Sequence, residues 1–309
     1  MTALKKPKEK LIKRIWKHRW TYFFILPGLV YFAIFHYKPM FGLILAFKKY
    51  NARLGILGSQ WVGLDNFKRI FITPLALKSI QTTFEISFGR LLFEFIFPIL
   101  LALMLNEMPG RKAKRVYQTI ITFPHFLSWI IVAQIIHDFF NNNGVINSLL
   151  LSAGSKPIRF LSSPGIFRVL LYSTSIWKGA GWSAIIYIAA ISGISLDLYE
   201  AARIDGANRM QCVWHITLPG IRATIILLLI MQVGHVMSAG FDQIFNLRNS
   251  AVKNSVDIID TYVYDITFSS SPNYGFSTAV GLFKSLINCT MLITANTISR
   301  KVSGSGLFN

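Results

Sequence analysis

The sequence predicts an all-α membrane protein with six transmembrane helices, on three observations. Apolar residues make up 53% of the 309 residues and aromatics 14%, with a mean hydropathy of +0.48, more than a soluble core can use. Apolar runs long enough to cross about 30 Å of hydrocarbon recur along the chain. The basic residues behind the net charge of +19 stand between those runs and not on one solvated domain, which argues against a nucleic-acid binder.

Residues 1–20 form a basic tail. Lys5, Lys6, Lys8, Lys10, Lys13, Arg14, Lys17 and Arg19 alternate with Trp16 and Trp20, a composition suited to anionic headgroups at the cytoplasmic face. No small-residue cleavage site interrupts the apolar run that follows, so the first span is expected to stay uncleaved. Residues 21–75 hold that span, about 22–47, with a break expected at His36-Tyr37-Lys38-Pro39, and then an external, partly amphipathic segment around Trp61, Asn66 and Phe67. Residues 76–300 form the main transmembrane region, with spans expected at 77–105, 116–140, 167–192, 221–243 and 276–298. Between them lie Glu107 to Arg115, a turn at Asn141-Asn142-Asn143-Gly144 with a loop to Gly165, a polar loop at 193–220, and a loop at 244–275; residues 301–309 are a tail. Counted over the short loops, the basic tail with Arg111, Lys112, Lys114, Arg115, Arg203, Arg209, Arg222, Arg300 and Lys301 outweighs the opposite side. This bias places both termini and the 193–220 loop in the cytoplasm.

The 193–220 loop is the most specific stretch of the chain. It reads Glu200-Ala201-Ala202-Arg203-Ile204-Asp205-Gly206 and then, after nine residues, Ile216-Thr217-Leu218-Pro219. Ser195 or Asp197 can cap a short helix holding Glu200, and Gly206 is the residue type at which such helices stop. The adjacent alanines allow close backbone approach, while Glu200, Arg203, Asp205 and Arg209 offer charge for docking. The helix has the character of a plug that seats in a partner.

This loop resembles the EAA loop of permease subunits in binding-protein-dependent ABC importers, whose fixed positions are matched by Glu200, Ala201, Ala202, Gly206, Ile216, Leu218 and Pro219. Further stretches are similar to the maltose-type carbohydrate permeases, the LplB group among them. These are Leu26-Pro27-Gly28, Phe35 to Met40, Ala46-Phe47-Lys48, Gly240 to Phe245, Asp260 to Tyr264 and Ala279 to Phe283. The resemblance implies a type I ABC importer permease fold in a bacterial cell membrane. It implies coupling to ATPase subunits through Glu200, Ala201, Ala202, Asp205 and Gly206. It also implies a second, different permease, two ATPase copies that bind ATP and Mg, an external solute-binding lipoprotein, and an oligosaccharide or modified sugar as cargo.

The chain itself shows no phosphate-binding glycine loop, no His-Glu-x-x-His motif and no nucleophile elbow, so neither a catalytic residue nor a cofactor or metal is expected in it. Cys212 and Cys289 read as small buried hydrophobes. What remains is a solute path, sought among polar and aromatic groups inside spans. By resemblance the candidates are Trp177, Trp182, Phe241, Asp242 and Gln243, joined by Lys178 and by Asn288, which lies one turn from Lys284. Lys178 can alternatively pair with Asp242 between spans. Arg90 and Glu94, at i and i+4, are expected to neutralise one another on one helix face. Two other classes compete with the importer: a transporter driven by an ion gradient, which calls for paired intramembrane acids that are scarce here, and a membrane scaffold without a solute path.

Overall fold

The computed structural model describes residues 16–303 and 306–307, so most of the basic tail and the end of the C-terminal tail lie outside the described residues. Three helical stretches are long and apolar enough to cross a membrane, Arg19–Phe47, Pro74–Glu107 and Tyr274–Lys301. Three bent pairs qualify when each is taken as one span: Arg111–Phe126 with Trp129–Ser152, Pro164–Ser192 with Leu196–Ile204, and Arg209–Gly220 with Arg222–Gly234. Together they give up to six spans, as the sequence predicts.

The first span begins as α1 (Arg19–Phe32) and does not break at Pro39. It widens into a π-turn at Ala33–Tyr37 and tightens into a 3-10 stretch at Phe41–Phe47. A proline has no N–H and its ring crowds the carbonyl four residues back, and the wider turn relieves that crowding. The same device recurs at Val213–Thr217, ahead of Pro219. The external segment then forms a small antiparallel pair, β1 (Lys48–Lys49) with β2 (Gln60–Trp61), followed by α2 (Asp65–Ile72). Asn66 fixes this segment by donating to the carbonyls of Ala46 (2.9 Å) and Lys48 (3.1 Å).

Helix α3 (Pro74–Glu107) opens with proline at the position where a missing N–H costs nothing. The expected span at 116–140 is instead α4 (Arg111–Thr122) and α5 (Trp129–Phe140), bent by 99° at the pair's break. Pro124 tightens the chain into a 3-10 turn, Leu127 is extended, and Ser128 restarts the helix by accepting from the Ile131 N–H at 3.3 Å. The stretch expected as a loop to Gly165 contains α6 (Val145–Ser152), tied down by buried Asn147, whose amide bonds the carbonyls of Asn141 and Ile158. Helix α7 (Pro164–Ser192) runs beside α3 to the polar loop, where α8 (Leu196–Ile204) turns off by 71°.

The span expected at 221–243 is shorter than its apolar run. Helix α9 (Arg222–Gly234) stops at Gly234, a 3-10 turn covers Val236–Ser238, and Gly240 takes the left-handed region at φ +80° before α10 (Phe241–Leu247). The stretch at 244–275 is also helical in part, with α11 (Ile259–Thr267), and the chain ends in α12 (Tyr274–Ser303). Cys212 is buried as expected, but Cys289 is exposed on the outside of α12.

The packing is layered along the spans. Ile86 of α3 and Phe167 and Leu171 of α7 share an apolar cluster at the end away from the polar loop, joined by Val132, Ile244 and Ile258. Ala102 of α3 and Ala184, Tyr187 and Ile191 of α7 form another near the polar loop, closed by Ile221. Between these clusters α3 and α7 present polar side chains, and there the site lies.

Candidate functional site: the cavity between the spans and the polar-loop helix

Arg90 and Glu94 occupy adjacent turns of α3 with their charges 3.5 Å apart, as their spacing predicts. Ser175 of α7 donates to Glu94, and Arg90 donates to Gln243 of α10. The Gln243 amide in turn donates to the Leu171 carbonyl and the Thr174 hydroxyl, both at 2.8 Å. One ion pair thereby ties α3 to α7 and to the helix that follows the α9 break. A buried charge persists only when so compensated.

Around this knot is a cavity of about 320 Å³ lined by Arg90, Glu94, His125, Trp129, Ser175, Lys178, Ser183 and Gln232. A second, of about 180 Å³, shares Arg90, Glu94 and Gln232 and reaches Ser87, His235 and Gly240. The Ser87 hydroxyl and the Nε of Arg90 have no hydrogen-bond partner among the described residues. The walls therefore offer donors, acceptors and aromatic faces to a polar solute.

Of the candidates drawn from the sequence, Lys178 lines the larger cavity. Its ammonium donates to the His125 carbonyl at 2.8 Å and sits 5.5 Å from the Trp129 ring centre, so the alternative pairing with Asp242 does not form. The bend between α4 and α5 brings His125 within reach, which a straight span at 116–140 could not show. Trp182 stacks flat on the His125 ring, with centroids 4.5 Å apart. Trp177 is half-exposed on α7 and is not among the cavity-lining residues. Phe241 stacks on Phe245, Asp242 is exposed, and Asn288 accepts from the Met237 N–H at 3.0 Å, satisfying backbone freed by the α9 break. Lys284, one turn away, is paired with Asp260 at 2.6 Å. The cavity residues that sequence reasoning missed are His125, Trp129, Ser175, Ser183 and Gln232. Gln232 carried a usable signal, a lone amide inside the apolar run from Ile225 to Val233.

At the polar loop, Ser195 caps α8 by accepting from the Asp197 N–H at 3.3 Å. The helix ends in a Schellman arrangement: Ala207 N–H bonds the Ala202 carbonyl at 2.8 Å, Gly206 N–H bonds that of Arg203 at 3.1 Å, and Gly206 has φ +81°. Glu200, Ala201, Asp205 and Gly206 are exposed and Ala202 is half-buried. No residue of α8 is buried, and its first and last residues, Leu196 and Ile204, stand 73% and 86% exposed, leaving apolar surface open at both ends of the helix. The helix is held from one side by Tyr199, whose hydroxyl meets the buried Thr217 hydroxyl at 2.9 Å.

Residues 95–304 match the family described as binding-protein-dependent transport system inner membrane component. The chain belongs to that family. This binding-protein-dependent permease is 44% identical over 293 residues to Protein LplB of Bacillus subtilis, covering 94% of this chain and 92% of that one. It is 39% identical over 305 residues to the polygalacturonan/rhamnogalacturonan transport system permease protein YteP of the same organism, covering 98% and 95%. Its fold superposes with a TM-score of 0.88 on a chain of the bacterial alginate ABC transporter, solved in complex with an alginate pentasaccharide-bound periplasmic protein, at 37% identity over 97% of this chain and all of that one. It has the type I ABC importer permease fold and is a transmembrane, multi-pass subunit of an ABC importer, not itself catalytic.

Proposed function

We propose that this permease forms, with a second permease, the membrane path of an importer for oligosaccharides that bear carboxylates. The observation that carries the reading is the polar cavity held between two apolar layers, with Lys178 on its wall bound to a carbonyl and not to an acid. A saccharide carboxylate would meet that ammonium, its hydroxyls would meet Gln232, Ser183 and Glu94, and its ring face would meet Trp129. The permease named for polygalacturonan/rhamnogalacturonan, at 39% identity, and the chain of the alginate ABC transporter, at 37%, support the acidic class. Trp182 would act through His125, and Gln243 by fixing Arg90.

Coupling in this reading runs through Glu200, Ala201, Ala202, Asp205 and Gly206 of α8, seated in one of two ATPase partners where ATP and Mg are bound. Helix α7 leads directly into α8, and through Thr217 α8 is tied to the turn before α9. Both helices wall the cavity, α7 with Ser175 and Lys178 and α9 with Gln232, so a push on α8 moves two walls together. An external solute-binding lipoprotein delivers the cargo, and both termini and α8 face the cytoplasm.

The test is uptake by proteoliposomes carrying the whole assembly and its binding protein. Trigalacturonate should accumulate with ATP and maltotriose should not, and Lys178→Gln should cut trigalacturonate uptake about tenfold, the loss of one charge-assisted contact. Uptake of maltotriose alone, or acidic uptake indifferent to Lys178→Gln, would overturn the reading.

A further inference from the structure

At the end of the molecule away from α8 there is a larger cavity, of about 930 Å³, that shares no residue with the cavity around Arg90 and Glu94. It lies between α2, the first turns of α3, α11 and the start of α12. Its volume falls in the range of about 300–1,000 Å³ typical of small-molecule sites. Two kinds of charge line it, and they are not equivalent. Asp257 and Asp265 are committed: Arg248 bonds Asp257 at 2.5 Å and Asp265 at 2.7 Å, and Lys253 bonds Asp265 at 2.8 Å. Arg69 and Lys78 form no ion pair among the described residues, and the Arg69 guanidinium rests 5.1 Å from the Phe276 ring centre.

The remaining lining suits a sugar. Half-buried Tyr262 offers a ring face, and Asn254, Asn273, Ser269 and Ser271 offer amides and hydroxyls. The acids of the wall are neutralised from within while two cations are left over, so the cavity selects for an anion with hydroxyls. We propose that it is an outer subsite for one uronate unit of an oligosaccharide, with the carboxylate on Arg69 and Lys78 and the ring against Tyr262. This rests on the acidic-oligosaccharide reading above and adds a second binding position to it. Lys78 and Glu94 are both on α3, sixteen residues apart and so about 24 Å along the helix.

The experiment is equilibrium binding of fluorescent trigalacturonate to the assembly in lipid nanodiscs, without binding protein, for the wild type, for Arg69→Gln with Lys78→Gln, and for Lys178→Gln. Both substituted outer residues are exposed, so assembly should persist, checked by size exclusion. The outer double variant should weaken binding about fivefold to tenfold and flatten its dependence on salt, because two screened charges are removed. Unchanged trigalacturonate binding in that variant, with Lys178→Gln still weakening it, sinks the outer subsite and leaves the functional reading intact. In a parallel co-sedimentation of the same nanodiscs with the binding protein, loss of docking in the outer double variant with trigalacturonate binding unchanged also overturns the subsite, assigning the cavity to a protein contact. A wild type that binds maltotriose and not trigalacturonate overturns the acidic reading and the subsite together.

Discussion

At the scale of single residues, the decisive feature is a charge pair that is useful only because it is shared. Arg90 compensates Glu94 and is itself held by Gln243, so removing the cation alone leaves the Glu94 carboxylate with only the Ser175 hydroxyl bonded to it and strips Gln243 of a donor. Arg90→Met should destabilise the chain by about 3–5 kcal/mol, seen as a lower unfolding temperature in detergent. Adding Glu94→Met should restore much of that loss, and a double variant worse than the single one would contradict the account. The pairing was legible in the sequence because i and i+4 share a helix face whatever the fold does. Lys178 was legible as a polar group inside a span, but its partner was not, since the His125 carbonyl arrives only through the bend after Thr122. Gly181 adds a residue that no motif flags: a Cβ there would run into the Ile121 carbonyl. Gly181→Val should therefore force α7 and α4 apart and lower the yield of folded protein severely, whereas Gly179→Ala, where a Cβ meets nothing, should be tolerated.

At the scale of elements, α8 is ordered by its ends and not by burial. Ser195→Ala removes the cap, worth about 1 kcal/mol, and should speed amide exchange across Leu196–Ile204 while leaving α7 protected. The caps were readable in advance because capping depends on residue type at fixed offsets. The bends were not, because periodicity reports which face of a helix is apolar and says nothing of the angle at a break. The expected spans at 116–140 and 221–243 failed as single helices for that reason, at Pro124 and at Gly234 and Gly240. The outer turns near α11 respond to acid. Burial alone would raise the Asp265 carboxyl, but hydrogen bonds from Arg248 and Lys253 outweigh it and hold its pKa below the usual carboxylate range. A carboxylate lowered on folding contributes stability above its unfolded pKa and loses it as the pH falls through the folded value. Proteolytic protection of the 248–265 segment should thus decline below about pH 4, and Asp265→Asn should show reduced protection already at pH 7 with little further change on acidification.

At the scale of the whole molecule, α1 stands apart from its own chain. Only 6% of the most apolar window of the first span is buried within the chain, against 17% for α3 and 22% for α12, so its surface is given to lipid or to another subunit. The number of spans and the polar loop could be read from composition and motif, since both depend on local letters. The cavity could not, because it is assembled from α3, α7, α9 and the 3-10 turn at Phe123–Phe126, residues far apart in sequence. The account's central claim is that α8 transmits ATPase closure to the walls of that cavity. The most direct measurement is ATP hydrolysis and trigalacturonate uptake by the same reconstituted assembly, for the wild type and for Gly206→Pro. Proline cannot adopt the φ of +81° found at Gly206, so the helix end should be lost while insertion proceeds normally. The account predicts stimulated hydrolysis and uptake in the wild type, and abolished uptake in the variant with the assembly still present in the membrane. Uptake at the wild-type rate in Gly206→Pro would contradict it.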